Sequence, residues 1–206
     1  MRELQRWSAA ALVLSGGLQV IGTALHPNDT AATAYMADAR WLPAHLCLAA
    51  SFLLAVYGLM GLYLYQRSKV GVVGAVGFVL SVAGAALLVA ATLVEAFLLP
   101  FIAASQSPRP LSDWLDLTGP LAGAVVVSVI SLLCYTYGFA ILGVVTWRAR
   151  VLAPRAGLLL VLATILSDGE FFGPIGFVVY VLGGVLVGVA LAWLGLALWR
   201  ASAVPS

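Results

Sequence analysis

Charge is the scarcest commodity in this chain. Its 206 residues include only ten Lys or Arg and eight Asp or Glu, whereas a soluble domain carries about a quarter charged residues. Too little polar side chain is present to clothe a surface in water, so a water-soluble fold is excluded. Nucleotide-binding glycine loops are missing, as are the H-E-x-x-H and G-x-S-x-G motifs, which removes the sequence basis for an ATP-driven machine, a zinc protease or a serine hydrolase. The basic residues form no patch suited to nucleic acid. A charged-ring channel or a voltage sensor would need more intramembrane charge than Glu95 alone supplies. Cysteine is nearly absent too: Cys47 and Cys134 each lie in an apolar run, with no C-x-x-C and no Cys/His cluster, a pattern of structural thiols rather than redox or zinc chemistry.

What remains is apolar. Hydrophobic residues make up 63% of the chain and mean hydropathy is +1.09. Since one helical crossing takes about 20 residues, the apolar runs predict an all-α integral membrane protein, a bundle of six transmembrane helices near 8–25, 43–65, 70–99, 119–147, 155–172 and 174–199. Pro43, Pro120, Pro154 and Pro174 fall where a first helical turn tolerates a missing N–H, and Pro27 and Pro100 fall where helices are expected to end. Arg2 and Arg6 precede the first run, which continues to Leu25 without a signal-peptide cleavage site, so a retained helix is expected. Placing both termini in the cytoplasm puts Arg2, Arg6, Arg67, Lys69, Arg148, Arg150, Arg155 and Arg200 inside and only Arg40 and Arg109 outside, the asymmetry of the positive-inside rule. Trp7, Trp147 and Trp199 then mark the inner interface, and Trp41 and Trp114 the outer one.

Three helices end in the same way, with Gly61, Tyr65 and Arg67, with Gly143, Trp147 and Arg148, and with Gly195, Trp199 and Arg200. Either this is a recurrent interface anchor or the chain contains three related helical hairpins about a pseudo-threefold axis. Small-residue rows, Gly184-Gly188-Ala192 and Gly77-Ser81-Ala85, predict close helix packing. Between the crossings, Asn28, Asp29 and Thr30 are expected to cap a helical turn, and 111–117 to form a short interfacial helix capped by Ser112.

Polar residues gather in the outer halves. Gln19, Thr23 and His26 share one face, as do Thr92 and Glu95, and Thr164, Ser167 and Asp168, while Ser128, Ser131 and Tyr135 make a milder stripe. At 1.5 Å per residue His26 lies roughly 30 Å above Arg6, and Asp168 only about 20 Å above Arg155, so the connection after the fifth helix is expected to dip toward the bilayer. The expectation is a polar outer pocket lined by His26, His45, Glu95 and Asp168 or Glu170. His26, His45 and Glu95 are the candidate ligands for a divalent metal, and the two histidines for haem; the plainer alternative is solvated histidines and a carboxylate paired with Arg40, Arg109 or His45.

The runs Leu25-His26-Pro27, Trp41-Leu42-Pro43-Ala44-His45, Tyr57-Gly58-Leu59, Gly61-Leu62-Tyr63 and Val94-Glu95-Ala96-Phe97 resemble small multi-pass bacterial membrane proteins without assigned function. The resemblance implies a bundle in the bacterial cytoplasmic membrane and transfers no catalytic residue. The functional expectation is a non-catalytic membrane protein, a subunit of a membrane complex or a binder of lipid, quinone or pigment. The alternative is a small metal- or haem-binding protein or enzyme using the outer pocket. Expected partners are membrane lipids, other membrane subunits or a second copy, with no nucleic acid and no nucleotide.

Overall fold

The computed structural model describes residues 2–27, 35–105, 111–169 and 175–203, and every regular element among them is helical. Helix α1 spans Arg2–Leu25, α2 Trp41–Leu93, α3 Leu99–Ala104, α4 Leu111–Trp114, α5 Ala122–Ala149, α6 Pro154–Ser167 and α7 Gly176–Ala203. A 3-10 turn, Tyr35–Ala37, precedes α2, and a π turn, Val94–Leu98, joins α2 to α3. Four stretches are long and apolar enough to cross a membrane, Arg2–Leu25, Trp41–Ala104, Ala122–Ala149 and Gly176–Ala203, and α6 is a shorter apolar helix.

The run Trp41–Ala104 is 64 residues long, roughly three bilayer thicknesses if straight. It is not straight. Gly71 has φ 57° and ψ −156°, a conformation open to glycine and strained for a side-chain-bearing residue. There the chain doubles back. Tyr63 and Phe78, about 22 Å apart on a straight helix, stack with ring centroids 4.5 Å apart. The break expected between 65 and 70 is therefore a bend at Gly71, and α2 consists of a first arm, 41–70, and a second arm, 72–93.

Six antiparallel rods result: α1, the two arms, α5, α6 and α7. Each packs on the next, and α7 returns to α1. Glycine permits the closest approaches. A Cβ on Gly143 would lie 2.6 Å from the Gly157 carbonyl oxygen of α6, and one on Gly77 3.0 Å from the Leu142 nitrogen of α5. The row Gly184-Gly188-Ala192 faces Thr23 and Gly16 of α1. Three similar helix ends do not make three equivalent hairpins: Gly61 meets Ser8 within its own hairpin, whereas Gly143 and Gly195 meet the first helix of the following one.

The first arm leans toward the centre. His45, Leu48, Phe52, Ala55, Leu59, Leu62 and Gln66 follow alternating steps of three and four, and all are buried, the stripe of a coiled-coil seam. Its polar ends both have partners. Gln66 Nε2 donates to Thr146 Oγ1 at 3.0 Å and can accept in return, a buried polar pair outside the outer halves where polar residues were expected to gather. On the flank toward α1, Ser15 Oγ donates to the Ser51 carbonyl and Ser51 Oγ to that of Ser15, each at 2.9 Å.

Local corrections follow from backbone hydrogen bonding. The fifth helix stops at Ser167, short of 172, where the Ser167 hydroxyl turns back to the Thr164 carbonyl at 2.7 Å. Helix α4 has four residues and starts before Ser112; beyond it Asp116 accepts from the Thr118 N–H and hydroxyl, a turn that competes with helix. Asn28, Asp29, Thr30 and Pro174 lie outside the described residues. Trp41, expected to mark the outer interface, is buried. The third crossing does not end at Pro100: helical backbone continues to Ala104, made possible by the π turn just before it.

Candidate functional site

Pro100 shapes the wall of the site from below. A proline inside a helix removes one donor and crowds the carbonyl four residues earlier. Leu99 N–H bonds to the Val94 carbonyl, in π register. The next donor in that register, for the Glu95 carbonyl, would be residue 100, which has none. The Trp41 indole fills the vacancy, with Nε1 donating to Glu95 O at 3.2 Å. Burial of Trp41, absent from its expected belt, is the consequence.

One turn further along the first arm, His45 Nδ1 lies 2.8 Å from the Trp41 carbonyl. A carbonyl only accepts, so Nδ1 carries the hydrogen and Nε2 is left facing Glu95, 3.6 Å from Oε2. This is electrostatic reach, longer than a hydrogen bond. Arg40 is engaged by Asp38 at 2.7 Å, so of the partners weighed for Glu95 the structure brings up His45; Arg109 lies outside the described residues.

His26 completes an aromatic cluster. Its ring centroid lies 5.0 Å from that of His45, 5.7 Å from Trp41 and 5.6 Å from Tyr180, the last edge-on. Burial, and next the His45 ring, hold His26 below its ordinary 6.5. The folded protein thus favours neutral His26, the unfolded chain takes up the proton first as pH falls, and stability declines through the range below 6.5. Thermal unfolding at successive pH values is expected to show this decline in the wild type and a shallower one in His26→Gln, whose amide does not titrate; parallel curves would refute it.

Below the cluster lies a cavity of about 370 Å³. Every rod contributes: Gln19 from α1, Phe52 from the first arm, Thr92 from the second, Ser128 and Tyr135 from α5, Ser167 from α6 and Gly184 from α7. His26, His45, Glu95 and Tyr180 form its polar end, and Leu48, Phe52, Leu88, Val129 and Leu132 its apolar walls. The cavity opens sideways, between the second arm and α5. Those rods touch closely where Gly84 meets Tyr135. Val129 lines the cavity yet is 51% exposed, and the Glu95 side chain is 45% exposed.

The structure thus groups His26, His45 and Glu95. Asp168 stands apart, accepting from Thr136 Oγ1 of α5 at 3.1 Å, and Glu170 lies outside the described residues. Among the described residues no three His, Cys, Asp or Glu side chains are placed to hold a metal ion. Tyr180 and the inward role of Trp41 escaped sequence reasoning. Tyr180 sits in an otherwise apolar helix with no polar neighbour to flag it, whereas the seven-residue steps from His45 to Gln66 would have turned the first arm inward.

No relative decides the matter. The chain matches no protein-family model, no curated protein and no solved structure, so the roles of these residues rest on their own geometry.

Proposed function

We propose that the chain is a six-crossing protein of the bacterial cytoplasmic membrane, both termini in the cytoplasm, that holds an amphipathic membrane-resident molecule in its outer cavity without transforming it. Six crossings are supported by the bend at Gly71 and by the apolar exteriors of the rods, where Leu14, Val79, Leu162 and Val178 face outward; an apolar surface of that extent is incompatible with water. The cytoplasmic termini are supported by the eight-to-two distribution of basic residues.

The observation that carries the ligand reading is the cavity with its side opening. Its volume falls in the range of small-molecule sites, its walls suit a ring or chain, and the His45–Glu95 end supplies a hydrogen-bonding edge. A lipid, a quinone or a pigment with an oxygen-bearing head has that polarity.

Gentle extraction from the native membrane, followed by native mass spectrometry and solvent extraction, tests the reading. One amphipathic small molecule per chain is expected, reduced up to about tenfold by His45→Ala, the cost of losing one hydrogen bond, and by Val129→Trp, which fills the opening. A wild-type protein without such a molecule, or variants that retain it equally, would sink the proposal. Partner subunits would be reported by the same spectrum.

A further inference from the structure

The other end of the bundle contains a second cavity, of about 460 Å³, between the Gly71 bend and the end of α5. Val70, Val73, Ile141 and Val144 wall it, and Lys69 and Arg148 stand at its rim. We propose that this cavity binds an anionic phospholipid, its phosphate between Lys69 and Arg148 and an acyl chain along Val73. The proposal rests on the membrane reading above but not on any ligand in the histidine cavity.

Both cations are exposed and, among the described residues, without an acidic partner: the Arg40–Asp38 ion pair and the His45–Glu95 contact both lie at the opposite end. Glu3 on α1 is the only acidic side chain described at this end, and α1 packs on the first arm and α7, away from α5. Positive ends of helices are expected at a cytoplasmic face whatever they bind. What topology does not explain is that the bend gathers two cations, 69 and 148, over one apolar hollow. Gly71 takes a positive φ, and with it the chain reverses and lays Lys69 and Val73 against α5. Next to the hollow, Val73 is 61% exposed and Val76 47%, which continues an apolar track from the rim toward the middle of the rod. Paired positive charge above an apolar track is complementary to one occupant, a molecule with an anionic head and a hydrocarbon tail.

The test uses the full chain in nanodiscs of phosphatidylglycerol and phosphatidylcholine with matched acyl chains, read by native mass spectrometry of the lipid that survives delipidation. Wild type is expected to retain phosphatidylglycerol preferentially. Each charge near a headgroup is worth about fivefold in affinity, so Lys69→Gln with Arg148→Gln is expected to erase a preference of about 25-fold. Val73→Trp, at an exposed position, is expected to expel the lipid with both charges intact. Arg67→Gln with Arg200→Gln, which removes the same charge from the same end, is expected to preserve the preference. The proposal is overturned by a wild type that does not discriminate, by equal loss in the Arg67/Arg200 control, or by displacement with inorganic phosphate, which would mark a site for the free anion. Retention of the histidine-cavity molecule in the Lys69/Arg148 variant keeps the two readings separable.

Discussion

Alanine at Gly16 is expected to lower the melting temperature of the purified protein by about 3–10 °C, while alanine at Gly17 leaves it unchanged or raises it. The two glycines are neighbours on one helix, with the same intrinsic gain of about 1 kcal/mol in helix propensity on substitution. Their surroundings differ. A Cβ on Gly16 would overlap the Gly188 carbonyl oxygen and lie 2.7 Å from the Ala192 nitrogen, whereas one on Gly17 meets nothing within 4 Å. The obstruction is backbone, not a side-chain tip that can rotate away, so α1 and α7 must separate along the whole row. Overpacking of this kind costs about 1–3 kcal/mol, which corresponds to that loss for a chain of this length. Differential scanning fluorimetry of both variants in one detergent provides the comparison. Equal melting temperatures would mean that the two helices are not in backbone contact.

The second large effect is expected at Trp41, where phenylalanine retains the ring and deletes the donor. Glu95 O then has no partner, because Leu99 N–H is bound to Val94 O and Pro100 has no hydrogen to give. An orphaned carbonyl away from water costs about 1–3 kcal/mol. The origin of the vacancy provides the control. Pro100→Ala restores a backbone N–H within reach of the π register, so it is expected to recover about half or more of the loss in the Trp41→Phe background and to do little in the wild type. A double-mutant cycle in chemical unfolding is expected to give a coupling of about 1 kcal/mol between residues 54 apart in sequence. Additive effects would refute the assignment of the indole as a substitute for the missing amide.

The rods were legible because hydropathy and helix length are local properties. Apolar runs and flanking prolines located α1, α5 and α7 to within a few residues at most of their ends. The bend at Gly71 was approached but not located, since Gly71 sits among Gly74, Gly77 and other glycines and only its conformation sets it apart. Pro100 misled for a related reason. Proline usually ends a helix, and nothing in the composition of Val94–Leu98 announces that a π turn will carry the chain past it. At the site, facing helices made His26, His45 and Glu95 neighbours through depth alone, as the reckoning by rise per residue anticipated. Depth says nothing about rotation around each rod. Asp168, on the short fifth helix, faces Thr136, and Trp41 has interfacial depth and faces inward.

The closed circuit of rods also bears on how the protein is made. Helix α1 is synthesised before the first arm, and the seam between them can form at once through Ser15 and Ser51. Its other seam, where Gly16 meets Gly188 and Thr23 meets Gly184, must wait for α7. Until α7 is made, the rods form an open arc with the glycine groove of α1 bare. Any foreign helix with small residues in step could occupy that groove, so α7 serves as the latch of the assembly, and a chain lacking it would expose the groove to neighbouring helices.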